Sequence, residues 1–588
     1  MTTLESALRA TDVLVDAFMA GKHIPGIAYG VVAGGELIHS RGIGTLRVGE
    51  DAVPNEDSVF RIASMTKSFT AATVISLRDE GRLSLDDPIA KYVPELSALR
   101  GPTRDAPVIT IRHLLTMASG LATDDPWGDR QQGLDLAAFA DLLRGPLTFS
   151  WAPGTRFEYS NLGYGILGRL ITNVAGAEYR DVVRERLLTS LGMHDTTYLQ
   201  DEVPTERLAH GYVWRDDAYL EEPIDPYGAL ASMGGIFTSV RDLARWVGFF
   251  TDAFPARDDP EGSWPLSRAS RREMQQGAGE SMPTLSLPHP GVGAGSAATS
   301  YGFGLFIENS LQWGRIVHHS GGYPGFGSNM RWHPASALGV IVLANHRYGP
   351  STVLAREIMT SLLESATVAP RRIHASVALA AARREIEQLV TSWEDEIADR
   401  LFAMNVELDE PFGRRRGELA RIREVHGALR PDPDLPETSQ TPLHAAWWMA
   451  DDHGGRVRFE IRLSPEAPPM VQTFSVTSVP IPAQGLRNLA GELVAAINGP
   501  RPSLPREFAL GPEVDRAALD RIVRIVAARY APLKLGPAIA CEGQKAATWR
   551  LRSDRGELDL AITLDPDLLL VTVVTITQRP PSPLQQAD

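Results

Sequence analysis

Ser64-Met65-Thr66-Lys67 sets a hydroxyl and an amine three residues apart. Phe69, Val74 and Leu77 continue the segment as an apolar helical face. At that spacing a helix brings the Ser and Lys side chains within hydrogen-bonding reach. The pair suits acyl transfer, in which the hydroxyl attacks a carbonyl carbon and the amine accepts its proton. Only a neutral amine can do this, so the surroundings must lower the lysine pKa from ~10.4. The Ser64 backbone N–H, at the helix start, lacks an intrahelical acceptor and can point at a nearby oxygen. The chain holds five lysines (Lys22, Lys67, Lys91, Lys534 and Lys545), and Lys67 alone has a serine three residues before it.

Two further segments offer matching chemistry. Tyr159 and Asn161 stand two apart in the extended stretch Tyr159-Ser160-Asn161, so they project to one side as a proton carrier and an amide clamp. Gly163, Gly165 and Gly168 then spell G-x-G-x-x-G, but no apolar strand leads into them and no dinucleotide site is predicted. His319-Ser320-Gly321-Gly322 ends a predicted strand, and Phe326-Gly327-Ser328-Asn329 opens the next. Paired glycines let a substrate carbonyl approach the strand edge, where a backbone N–H can donate to an oxyanion. His318 is placed on the opposite face as a structural residue.

S-x-x-K, then Y-x-N, then H-x-G, in this order, resembles the serine β-lactamase, DD-peptidase and esterase superfamily. Three neighbouring blocks strengthen the likeness: Glu80-Gly-Arg-Leu-Ser-Leu-Asp-Asp-Pro88, Ile111-Arg-His-Leu-Leu-Thr-Met-Ala-Ser-Gly120 and Gly234-Gly-Ile-Phe-Thr-Ser239. The resemblance spans about residues 10 to 366. It implies Ser64 as nucleophile, Lys67 as its base, and Tyr159 as a second base that relays protons to the leaving group and to the deacylating water. It further implies that Asn161 orients Lys67 and substrate, while the N–H groups of Ser64 and Gly322, beside Gly321, form the oxyanion hole. His319 stands where many relatives carry a lysine that anchors a substrate carboxylate. Histidine at pH 7 is mostly neutral, so a required anionic substrate group is not expected.

The elements that must position these residues fill the first 367 positions. A helix opens the chain, a strand pair turns at Gly34-Gly35, the Ser64 helix follows, and strands return at Tyr301–Glu308, Arg315–His319, Asn329–His333 and Gly339–Ala344 before a closing helix. Strands at both ends imply one antiparallel sheet joining the termini. The resemblance adds flanking helices and an all-helical subdomain, an α+β fold. Residues 253 to 300, rich in Pro, Gly and Ser, read as a structureless flap or insertion. Two small α+β repeats are expected at 375–482 and 484–580. Ala445-Ala-Trp-Trp448 recurs as Ala546-Ala-Thr-Trp549, and Gly455 to Pro465 parallels Gly556 to Pro566. Each repeat reads as two helices and three strands, burying Trp448, Phe459 and Ile461, or Trp549, Leu560 and Ile562. Neither repeat displays a convergent catalytic set, so packing or oligomerisation is their expected work.

A net charge of −14 argues against nucleic-acid or anionic-membrane partners. The single Cys541 rules out an internal disulfide, and no metal-ligand spacing or cofactor motif occurs. The N-terminal stretch alternates apolar and charged residues as a surface helix does, so no secretion signal and a cytoplasmic location are expected. The expected partner is a small ester or amide substrate, with homo-oligomers through the repeats an open arrangement. The leading reading is a carboxylesterase-type hydrolase with an acyl-enzyme on Ser64. Alternatives, in order, are a D-amino-acid amidase or aminopeptidase, a β-lactamase, and a non-catalytic penicillin-binding-like sensor.

Overall fold

The computed structural model describes residues 3–286, 295–310, 313–365, 375–435, 437–439, 441–565 and 567–578. The boundary expected near residue 367 and the last residues of the second repeat lie outside them. Contacts divide the chain into Met1–Pro370 and Arg371–Asp588. No described helix is long and apolar enough to cross a membrane.

The first unit is built on an eight-stranded antiparallel sheet. Its spatial order is Glu36–Gly44, Gly26–Ala33, Leu338–Ala344, Phe326–His333, Gly314–Tyr323, Phe306–Ser310, Gly295–Tyr301 and Ala278–Ser286. The N-terminal strand pairs with the last one, Ile27 opposite Ala344 and Val31 opposite Val340, so both ends of the unit meet in mid-sheet. Gly26–Ala33 and Leu338–Ala344 are apolar along nearly their whole length because both sheet faces are covered. One face packs on helices Thr3–Met19 and Ser351–Glu364 through Val15, Phe18, Leu354 and Ile358. The other faces the helical layer, where Phe69, Trp246, Leu167 and Leu343 share a single core.

The reading of 253–300 as structureless needs correction. It contains helix Arg268–Met274 and, on either side of a segment outside the described residues, the edge strand Ala278–Ser286 and its neighbour Gly295–Tyr301. Polar residues such as Glu280, Ser281 and Thr284 hid the strand period. Edge strands tolerate that composition, because charge and proline discourage further pairing there.

The second unit holds two four-stranded antiparallel sheets, not the three-stranded ones expected. The first is Arg430–Pro431, His444–Ala450, Arg456–Leu463 and Val471–Val479; the second is Lys534–Glu542, Ala546–Ser553, Gly556–Leu564 and Val571–Gln578. Helices including Val377–Thr391 and Phe412–His426 accompany the first, and Gln484–Asn498 and Arg516–Tyr530 the second. Phe459, Ile461, Trp549, Leu560 and Ile562 are buried, but Trp447 fills the first core in place of Trp448. Trp447 pairs with Phe459, and Trp549 with Leu560. The true correspondence is thus one residue away from the alignment of the two Ala-Ala motifs. A one-residue slip exchanges the faces of a strand, which turns Trp448 out to pack beside the second core.

Candidate active site

Ser64 sits in a tight turn, Ala63–Met65, that runs into the helix Thr66–Asp79. Two hydrogen bonds and one strained dihedral define the turn. Ile62 N–H donates to the Ile236 carbonyl at 3.0 Å, Ser328 Oγ donates to the Ile62 carbonyl at 2.8 Å, and Ala63 adopts φ 48. A non-glycine residue at positive φ is strained and persists only where its neighbours over-determine it. Gly321 comes so close that a Cβ there would overlap the Ile62 carbonyl oxygen, so this strand position tolerates no side chain. A Cβ on Gly322 would instead meet the Tyr348 ring, at 2.7 Å.

Lys67 is fully buried and its Nζ has three polar neighbours: Ser64 Oγ at 3.0 Å, Asn161 Oδ1 at 2.7 Å and the Met233 carbonyl at 2.8 Å. Two of them can only accept. A neutral amine therefore spends both N–H groups on Asn161 and Met233, leaving its lone pair directed at the Ser64 hydroxyl. Burial lowers the ammonium pKa to about 8, against the opposing pull of Asp125, Asp129 and Asp124. About a tenth of the lysine is then neutral at pH 7.

Asn161 is held in the orientation this requires. Its Nδ2 donates to Asp125 Oδ1 at 2.8 Å, which turns Oδ1 toward Lys67. Asn161 begins the helix Asn161–Ala175, whose start is capped twice. Ser160 Oγ accepts from Gly163 N–H, and Asp124 accepts from the N–H groups of Asn161 and Leu162 at 2.7 and 2.8 Å. Asp129, buried and accepting from Tyr348 Oη at 2.8 Å, has its carboxyl pushed up by burial to about 6.

Tyr159 lies 4.9 Å, ring centroid to Lys67 Nζ, from the amine, with its hydroxyl beside Ser64. Burial of that hydroxyl, with Asp125 nearby, drives its pKa well above 10, so the resting group is a phenol. His319, beside the Tyr159 ring, is buried, and burial together with Lys67 lowers its pKa to about 3. Its Nδ1 lies 2.7 Å from the Ser320 carbonyl, which fixes the proton there, and Nε2 accepts from Tyr301 Oη at 2.9 Å. The ring is neutral with both nitrogens engaged. His318 points to the other face and stacks on Phe306.

Ser64, Lys67, Tyr159 and Asn161 thus meet at one point, with His319, Gly321 and Gly322 on the adjoining strand. Sequence reasoning missed Asp124, Asp125, Asp129 and the Met233 carbonyl. The acidic run Asp124-Asp-Pro-Trp-Gly-Asp129 was the available signal for the carboxylates. A backbone carbonyl carries none.

The beta-lactamase family model matches residues 11–363. Protein flp of Staphylococcus aureus (strain MW2) is 27% identical over 341 residues, 57% of this chain and 62% of flp. The D-alanyl-D-alanine-carboxypeptidase/endopeptidase AmpH of Escherichia coli (strain K12) is 31% identical over 257 residues, 42% of this chain and 63% of AmpH. The chain thus spans less than two thirds of the length of these relatives. The octameric penicillin-binding protein homologue from Pyrococcus abyssi shares the fold, with a TM-score of 0.51 at 18% identity over 97% of this chain and 100% of that one.

Proposed function

Because the chain belongs to the beta-lactamase family, we propose that it is a serine hydrolase that forms an acyl-enzyme on Ser64 and acts on small esters or amides in the manner of a carboxylesterase. The observation that carries this reading is the lone-pair geometry of Lys67. Its two N–H groups are committed to Asn161 and Met233, and only Ser64 remains for the third direction. In the proposed cycle neutral Lys67 takes the Ser64 proton as Oγ adds to the carbonyl carbon. The oxyanion is received by the N–H groups of Ser64 and Gly322. Tyr159 passes a proton to the leaving group, and its deprotonated oxygen then activates water for deacylation.

A neutral, fully engaged His319 supports substrates without an obligatory carboxylate, which places β-lactams low in the order. A second reading, a D-amino-acid amidase or aminopeptidase, draws on the carboxylates of Asp125 and Asp129 near Lys67. Anions there would favour a substrate bearing a free ammonium group. AmpH, named for D-alanyl-D-alanine carboxypeptidase and endopeptidase activity, makes peptide-like substrates a natural comparison. We further propose that the Arg371–Asp588 unit serves self-association. A short-chain nitrophenyl ester, a D-amino-acid anilide and a chromogenic cephalosporin, each assayed with wild type and Ser64→Ala, test the reading. Ser64-dependent turnover that is fastest on the ester is expected; turnover of the cephalosporin alone would overturn it.

A further inference from the structure

The second unit brings together three residues far apart in sequence. His426 ends helix Phe412–His426, Asp451 opens the turn after strand His444–Ala450, and Ser478 lies near the end of strand Val471–Val479. Asp451 Oδ2 is 2.7 Å from His426 Nδ1, and His426 Nε2 is 2.8 Å from Ser478 Oγ. A carboxylate only accepts, so Nδ1 carries the imidazole proton, Nε2 presents a lone pair, and the Ser478 hydroxyl donates to it. We propose that Asp451, His426 and Ser478 form a second serine-nucleophile site, chemically independent of Ser64 and directed at small carboxylic esters.

The arrangement is built and aimed. The side chains of His426 and Asp451 are buried, whereas Ser478 is exposed, so the nucleophile meets solvent and the groups that support it do not. Asp451 Oδ1 accepts from the N–H groups of His453 and Gly455, each at 2.8 Å. Against the upward push of burial, these bonds and the one from His426 hold its carboxyl below the usual range. A Cβ on Gly455 would overlap Asp451 Oδ2 and stand 2.9 Å from His426 Nδ1, so the carboxylate–imidazole contact exists because position 455 has no side chain.

The neighbouring repeat argues against a merely structural role. Its helix Arg516–Tyr530 ends in Tyr530 where the first repeat has His426. Val457 opposite Ser478 corresponds to Leu558 opposite Gln578, and Asp451 corresponds to Ser553 at the start of the equivalent turn. The same layout therefore forms with a serine in place of the acid, a tyrosine in place of the imidazole and a glutamine in place of the serine.

The chemistry balances as ester hydrolysis. Ser478 Oγ adds to the carbonyl carbon as its proton passes to His426 Nε2, and the imidazolium returns that proton to the departing alkoxide. Water then attacks the acyl-serine with His426 as base, releasing the acid and restoring the hydroxyl. Asp451 positions the ring and stabilises its charged form. Val471–Val479 is an outer strand of its sheet, so the oxyanion's donors in this cycle would be backbone N–H groups at the edge beside Ser478.

The test uses full-length Ser64→Ala protein, its fold checked by circular dichroism. It is treated with a fluorophosphonate and mapped by peptide mass spectrometry, and short-chain nitrophenyl ester turnover is measured beside Ser64→Ala/Ser478→Ala. An adduct on Ser478 and at least ~10-fold faster turnover than the double variant are expected. Asp451→Asn in the Ser64→Ala background should retain the fold and lose most of that difference. An unlabelled Ser478 in the folded protein, or equal turnover in the two variants, would overturn the proposal. Failure here leaves Ser64 reactivity untouched, and loss of Ser64 activity leaves this outcome readable.

Discussion

Lys67 Nζ lies 3.0 Å from Ser64 Oγ, and its other two polar neighbours are oxygens that cannot donate. The direction of proton transfer is therefore set by geometry, while its extent is set by the lysine pKa.

Ser64→Ala should reduce turnover of every substrate processed at this site by several orders of magnitude, as loss of an essential nucleophile does. Peptide mapping after fluorophosphonate treatment should lose the adduct on the Ser64 peptide. Wild-type turnover in the variant would reject Ser64 as nucleophile.

Lys67→Arg should be nearly as damaging as Lys67→Ala, a loss on the order of 10³ in kcat, because arginine keeps the charge and cannot become a neutral base. An Arg variant with most of the wild-type rate would assign the proton transfer elsewhere.

The pH profile should reflect a base whose pKa is about 8, with kcat/KM rising as pH climbs toward that value and the ammonium form is lost. Asp125 favours the charged amine, so Asp125→Asn should move the rising limb to lower pH. A limb that stays in place, or moves to higher pH, would contradict this electrostatic role.

Gly321→Ala should destabilise the first unit by roughly 2–3 kcal/mol, because the added methyl meets the fixed Ile62 carbonyl as well as Ser328 Oγ. Thermal denaturation measures the loss, and activity should fall with it as the Ser64 turn is displaced. An unchanged melting temperature would show that the strand can back away.

A fragment of residues 371–588 should fold alone, since its buried residues form cores of their own around Trp447 and Trp549. A cooperative melt and a mixed helix-and-strand circular dichroism spectrum are expected. A disordered fragment would count against that independence.

Ser64, Lys67, Tyr159 and Asn161 were legible because their chemistry resides in side chains and their spacing follows helix and strand periods. Met233 was not, because it contributes only a carbonyl, from a turn 166 residues beyond Lys67. Trp447 and Trp448 show the limit of pattern alone: two identical neighbours can be ordered only by ladder register, which strand pairing decides. His426, Asp451 and Ser478 escaped for the same reason, since 25 and 52 residues of separation carry no local period.

The pairing of Gly26–Ala33 with Leu338–Ala344 bears on how the protein is made. Synthesis proceeds from the N-terminus, so the strand before Ser64 emerges long before its partner exists. The brace on the Ser64 turn also arrives late, because Ser328 follows Ile62 by 266 residues. A nascent chain shorter than the last strand has a serine and a lysine but no assembled acylating centre. Ribosome-bound intermediates should therefore remain inert toward serine-directed probes until that strand clears the exit tunnel.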